Sequence, residues 1–361
     1  MDDLPDILDL LRLAVAEGAS DVHLCAGLVP FMRLRGEMKP CHPRVFSRLE
    51  CREMILGLLT ETQRARLERD LELDFGLQVE GIGRFRGNAH FSRGALEAAL
   101  RYIPVEIPTV EQLGHRPAVA KLCDLTRGLV LVTGMTGSGK TTTLAAMIRK
   151  ISETRDAMIV TVEDPIEFYF NNARSIVKQR EIGSDTNSFA EALRHVLRQD
   201  PDVIMIGEMR DCETIRAALT AAETGHLVLS TLHTNDAPQA LNRIVDSFPG
   251  DEQGQVMGQL SDALAGVVSQ RLIPTEDGLG RVLLSEFLSN NTAVRSCIRD
   301  HRFEQIVGLM EIGRKDGMYT LDDVLEQLYL SRRISKEDAV AEARDKARIA
   351  ALMRQIPENG N

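Results

Sequence analysis

The chain has 361 residues, 43% of them hydrophobic, enough to bury a large core and form two domains and too apolar for a disordered chain. A formal net charge of −10, no Trp and 4% aromatic residues argue against a protein that coats nucleic acid, which needs cations for phosphates and rings for bases. No apolar run reaches the roughly 18 residues that cross a bilayer, the acidic start MDDLPDILDLL is unlike a secretory leader, and six scattered cysteines hold no C-x-x-C pair, so a cytosolic chain with reduced, mostly buried cysteines is expected.

Residues 5–17 carry apolar side chains at helical spacing and stop at Gly18, after which SDVHL and PFMRLRGEMKP read as strands around a turn. Two helical stretches between 46 and 71 precede glycine-punctuated, strand-like runs up to about 101, the pattern of an antiparallel meander. A small α+β domain over 1–101 is therefore expected, followed by an extended linker over 102–116, where two Ile-Pro pairs disfavour helix.

From residue 117 to 361 the expectation is an α/β domain. GLVLVTG, AMIVTVED, DVIMIGE and HLVLSTLHT are apolar strands alternating with helices, which predicts a mostly parallel sheet covered on both faces. Thr141 opens the first helix, Ser188 and Glu191 cap the second, and the third stops at Gly225. Beyond 255 the sequence reads as mostly helical, with S/T-x-x-D starts at Thr320 and Ser335.

Gly134 to Thr141, GMTGSGKT, has the G-x-x-x-x-G-K-S/T spacing between a strand and a helix that a P-loop requires. Thr136, Gly137, Ser138, Gly139, Lys140, Thr141 and Thr142 are the candidate contacts to ATP: backbone N–H groups crowd the phosphates, Lys140 reaches the β and γ oxygens, and the Thr141 hydroxyl ligates Mg2+. Ligands of an open parallel sheet sit beyond the carboxyl ends of its strands, so Glu163, Glu208 and His233 join the same site. Glu208 holds magnesium's water shell or polarises the attacking water, Glu163 is the alternative base and metal-side carboxylate, and His233 senses the γ-phosphate. For His226, a buried core position and a functional one stand equal; Arg194 and Arg198 read as ion-paired helix residues.

These blocks resemble the secretion and pilus ATPase superfamily. GMTGSGKTT is similar to its Walker A box, TVEDPIEF to its Asp box, LRQDPDVIMIGEMRD to its Walker B box and TGHLVLSTLHTNDA to its His box. All four stand in family order, and the likeness runs from EGASDVHL to YTLDDVLEQLY. Assembly ATPases of the superfamily usually carry a longer N-terminal region and a tetracysteine zinc insertion. Neither is seen here, and AVRSCIRD at 293–300 resembles a short motif of the pilus retraction ATPases, with Ser296 and Cys297 where Asn and Leu are usual.

The resemblance implies an N-terminal PAS-like domain, a RecA-like ATPase domain and a homo-hexameric ring that hydrolyses ATP to power type IV pilus retraction and twitching. It places that ring on the cytoplasmic face of the inner membrane, on the pilus platform protein and beside a possible second retraction ATPase. An accessory retraction paralogue, an assembly ATPase, a nucleic-acid motor and a nucleotide-gated scaffold are the alternatives. The resemblance also implies that arginines of the small domain act on bound phosphate, here Arg86, Arg93 and Arg101, with Arg84 alongside.

Overall fold

The structure, a computed structural model, describes residues 5–34, 36–103 and 106–355. It comprises two compact units: Met1–Glu106 with Pro165–Tyr169, and Ile107–Asp164 with Phe170–Asn361.

In the N-terminal unit, α1 (Ile7–Ala16) starts where the Asp6 carboxylate accepts from Leu8 N, and the chain turns away at Gly18 with φ +72°. Strands β1 (Asp21–Leu24), β2 (Phe31–Leu34) and β3 (Glu37–Pro40) follow. Helices α2 (Arg48–Gly57) and α3 (Glu61–Asp70) each begin with a reciprocal capping box, Ser47 with Glu50 and Thr60 with Gln63. The meander β4 (Glu72–Val79), β5 (Gly83–Ser92) and β6 (Ala95–Ile103) completes an antiparallel sheet of order β3-β2-β1-β6-β5-β4. Leu11, Leu24, Phe46, Ile55, Phe75, Phe85 and Leu100 form its core. The last strand continues past residue 101 to Ile103, and the second unit begins at Ile107.

The second unit opens with a short α4 (Pro117–Ala120) and then alternates: β7 (Gly128–Thr133), α5 (Lys140–Thr154), β8 (Met158–Glu163), β9 (Ile176–Glu181), α6 (Phe189–Val196), β10 (Val203–Ile206), α7 (Cys212–Glu223), β11 (Leu227–Leu232), α8 (Ala237–Asp246) and α9 (Gly250–Ala263). Strands β12 (Leu264–Pro274) and β13 (Arg281–Ser289) come next, then α10 (Thr292–Arg299), α11 (Ile306–Ile312), α12 (Leu321–Leu330), α13 (Lys336–Glu342) and α14 (Lys346–Gln355). The seven-stranded sheet has the order β13-β12-β7-β11-β10-β8-β9, parallel except where β13 pairs with β12.

Alternation places successive strand residues on opposite faces, and both faces are apolar here. Leu129, Leu131, Ile204, Ile206 and Val228 enter one core; Val130, Val132, Val203, Met205 and Leu229 enter the other. Each such side chain contributes about 1.5–3 kcal/mol when fully buried, so the sheet is the rigid part on which the strand ends are mounted. The stretch beyond 255 departs from the expected run of helices. β12 and β13 form a long hairpin there, and α12 and α13 pack on it through Leu321, Leu325 and Ala339 against Ile273, Val282 and Leu284. The expected caps hold: Thr320 and Asp323 form a capping box, and Ser335 accepts from Asp338 N.

Candidate nucleotide site

The P-loop leaves β7 at Thr133 and enters α5 at Lys140. Gly134, Gly137 and Gly139 have φ of +150°, +81° and +88°, a region L side chains rarely adopt. At Gly134 space forbids a side chain as well, because a Cβ would lie 2.3 Å from the Gln270 carbonyl and 2.5 Å from Ser138 Oγ. Met135, Thr136 and Gly137 are exposed, Ser138 is buried, and Thr141 and Thr142 are half-buried on the first turn of α5. The Lys140 ammonium is buried and donates to the carbonyls of Gly134 (2.8 Å) and Met135 (3.2 Å), so a cation already stands inside the loop at the positive end of a helix.

Parallel register aligns the neighbouring strand ends with that loop. Thr133 is opposite Leu232, Ser230 opposite Ile206, and Ile206 opposite Val162. Three backbone bonds extend the ladder past the strands: Gly134 N to Leu232 O, Gly207 N to Val162 O and Met209 N to Thr231 O. Glu163, Glu208 and His233 therefore stand on one edge with the P-loop. Glu163 is buried, and its Oε1 accepts from Thr161 Oγ1 (2.7 Å) and Gln179 Nε2 (3.0 Å). Glu208 accepts from Arg210 Nη2 at 2.9 Å on Oε2 and from His233 Nε2 at 3.3 Å on Oε1. Partial burial favours the neutral carboxyl of Glu208, but Arg210 and His233 outweigh it and hold its pKa below the usual carboxylate range. The donors at this edge, Thr141, Glu163 and Glu208, are all hard oxygens, which suits Mg2+.

Arg86, Arg93 and Arg101 belong to the N-terminal unit. Arg86 pairs with Glu167 (3.1 Å) and Arg101 with Asp21 (2.9 Å). Arg93 is exposed at the tip of the β5–β6 hairpin, with φ +51° and no ion pair among the described residues. Arg84 is buried, donates to the Ile166 carbonyl through two nitrogens and lies 3.8 Å over the Tyr169 ring. Arg194 pairs with Glu213 as expected. His226 is only half-buried, at the far end of β11, where its Nδ1 meets Ala221 O at 2.9 Å. Arg210, Thr161 and Gln179 were missed in the sequence, although Arg210 lies two residues beyond Glu208 in the same motif.

The profile of the type II/IV secretion system proteins matches residues 97–351. The chain belongs to that family. It is 44% identical to the type IV pilus retraction ATPase PilT of Pseudomonas aeruginosa over 98% of this chain and 99% of that protein. The type IV pilus ATPase PilU of the same organism is also 44% identical, over 95% of this chain and 90% of its own. A crystal structure of the pilus retraction motor PilT with bound ADP superposes with a TM-score of 0.89 at 45% identity, covering 96% of this chain and all of that one. The family's fold is the one described above: an N-terminal sheet domain and a parallel-sheet domain with a helical C-terminus. Among the described residues no helix is long and apolar enough to cross a membrane.

Proposed function

We propose that this protein is a motor that hydrolyses ATP to ADP and phosphate and powers type IV pilus retraction. The observation that carries the proposal is the Glu208 carboxylate, held by Arg210 and His233 on the strand edge that bears the P-loop, in a chain similar to PilT over its whole length. ATP binds at Thr136–Thr142, and Lys140 exchanges the Gly134 and Met135 carbonyls for phosphate oxygens. Glu163, oriented by Thr161 and Gln179, accepts the proton of the attacking water. Glu208 is the weaker base, since both its oxygens face cations, and with Thr141 it serves the metal side. Mg2+, when bound, neutralises charge on the β and γ oxygens.

His233 shares Glu208 and lies at the phosphate edge. It reports loss of the γ-phosphate by changing partner, and α8, which follows it, carries the signal. In a homo-hexameric ring one of Arg86, Arg93 and Arg101 completes the charge on phosphate. Arg93 is the first choice, because Arg86 and Arg101 each hold a carboxylate of their own. The ring works from the cytoplasmic face of the inner membrane on the platform protein, with a second retraction ATPase as a possible companion. PilT-like rather than PilU-like action is favoured by the fuller coverage of the PilT relative.

The test is a gene deletion complemented with wild type or Glu208→Gln. Excess surface pili without twitching in the deletion and in Glu208→Gln, both reversed by wild type, is the expected result. Loss of surface pili would instead mean an assembly motor, and normal twitching in Glu208→Gln would remove Glu208 from the mechanism. Unchanged retraction frequency with reduced force would point to the accessory role.

A further inference from the structure

A buried chain of hydrogen bonds runs behind the P-loop. Gln270 Nε2 on β12 donates to the Ser138 carbonyl at 2.8 Å, Thr143 Oγ1 on α5 donates to Gln270 Oε1 at 2.9 Å, and His115 Nε2 lies 3.1 Å from Thr143 Oγ1. His115 and Ser138 are 5% exposed, Thr143 and Gln270 1%. The donor order fixes the rest. The Thr143 hydroxyl proton is committed to Gln270, so His115 Nε2 must donate to Thr143 and the ring carries its proton on Nε2. His115 Nδ1 and the Ser138 hydroxyl have no hydrogen-bond partner among the described residues, so nothing competes for the ring or the loop.

The chain ends on a backbone group that matters. In a trans peptide the C=O and the following N–H point opposite ways. Pinning the Ser138 carbonyl toward Gln270 therefore turns the Gly139 N–H away from Gln270, and this is one of the N–H groups with which a phosphate loop holds its anion. Gly139 lies close against the same side chain, since a Cβ there would be 3.3 Å from Gln270 Nε2. At the other end, His115 lies near the close of the 107–116 segment, which is fastened along the same helix. Arg149 donates to the Ile107 carbonyl and Lys150 approaches Glu111 at 3.4 Å.

We propose that Gln270, Thr143 and His115 are positioning residues for the P-loop, and that the 107–116 segment thereby takes part in setting nucleotide affinity. The proposal rests on the nucleotide-site reading above. Thr143 makes no phosphate contact in that reading. It lies two residues beyond Thr141, about 200° further round the helix, and its side chain faces β12.

The test uses the full chain, a fluorescent ATP analogue with magnesium, and steady-state phosphate release. Thr143→Val keeps the shape and removes both links; it should weaken binding and raise KM by about tenfold, the worth of one to two neutral hydrogen bonds, with kcat within about threefold. Thr143→Ser keeps the hydroxyl and should restore binding to within about twofold of wild type, which a purely steric role would not produce. His115→Ala should fall between them. Lys140→Ala tests the underlying site separately: binding as tight as wild type there overturns the nucleotide-site reading itself. Loss of binding in Lys140→Ala with wild-type affinity in Thr143→Val, or Thr143→Ser as weak as Thr143→Val, overturns the positioning proposal. A lower melting temperature in Thr143→Val with unchanged affinity overturns it too.

Discussion

At the scale of single residues, His115 shows how burial sets a charge state. Enclosure lowers its pKa from 6.5 to about 4, and no charged neighbour contributes. A depressed folded value gives stability that is complete above pH 6.5 and is lost as pH falls toward 4, because the unfolded chain takes up a proton the native state refuses. The full span amounts to about 3 kcal/mol. Urea unfolding of wild type and His115→Gln from pH 7 to pH 5 should show a steeper slope in the first, since His23, whose pKa burial also lowers, is common to both; equal slopes would place the pH dependence elsewhere. Glu208, whose pKa is lowered, acts only below the ordinary carboxylate value and so outside that window. Gly134→Ala makes a second residue-scale prediction. Its Cβ would sit 2.3 Å from a carbonyl on a neighbouring strand, and that backbone cannot swing aside. We expect ATP binding to be lost, measured by the same fluorescent analogue, together with a drop in melting temperature.

At the scale of elements, α10 carries the AVRSCIRD segment. Val294, Cys297 and Ile298 face the core, while Arg295 and Arg299 are exposed on the other side, where Arg299 approaches Asp262 at 3.9 Å. The arginines are therefore available for work that hydrolysis does not need. Changing both to Ala should leave phosphate release within about threefold and abolish twitching, since exposed substitutions shift stability by only about 0.5 kcal/mol. A large loss of melting temperature would make the pair structural.

Elements also separate what could be read in advance from what could not. β7, β8, β10 and β11 were legible because a strand buried on both faces is an unbroken apolar run, and Glu163, Glu208 and His233 were legible because each ends such a run. β9 was not, being an edge strand whose IVKQRE mixes polar and apolar residues. β12 and β13 were not, because Ser269, Gln270, Ser285 and Glu286 are polar yet fully buried, which breaks the pattern that marks a strand. The same cause hid the His115–Thr143–Gln270 chain: a buried polar side chain looks like a surface one until its partner, up to 127 residues distant, is in place.

At the scale of the whole molecule, the proposed ring makes a prediction about the N-terminal unit. Among Arg86, Arg93 and Arg101, removal of Arg93 should cost turnover about a thousandfold and ATP binding little, because an arginine finger meets charge that develops in the transition state. Light scattering on the Arg93→Ala protein would first establish that the ring is intact. Normal turnover in intact rings of all three single variants would locate the charge within the second unit.

The five residues Pro165–Tyr169 give the molecule a property that its linear order conceals. They belong to the N-terminal unit, so the chain passes between units three times, at 106/107, at 164/165 and at 169/170. A gene cut after residue 106 would thus not release a self-sufficient piece. Such a fragment would keep Arg84 and lose both the Ile166 carbonyl to which it donates and the Tyr169 ring beneath it. A hydrogen bond to a charged group is worth about 1.5–3 kcal/mol and a cation–π contact about 0.5–1 kcal/mol, together a large share of what a unit this small has to spare. The module is a unit in space and not in the gene. Recombination that exchanged the first hundred residues between relatives would therefore have to bring a matching PIEFY with them.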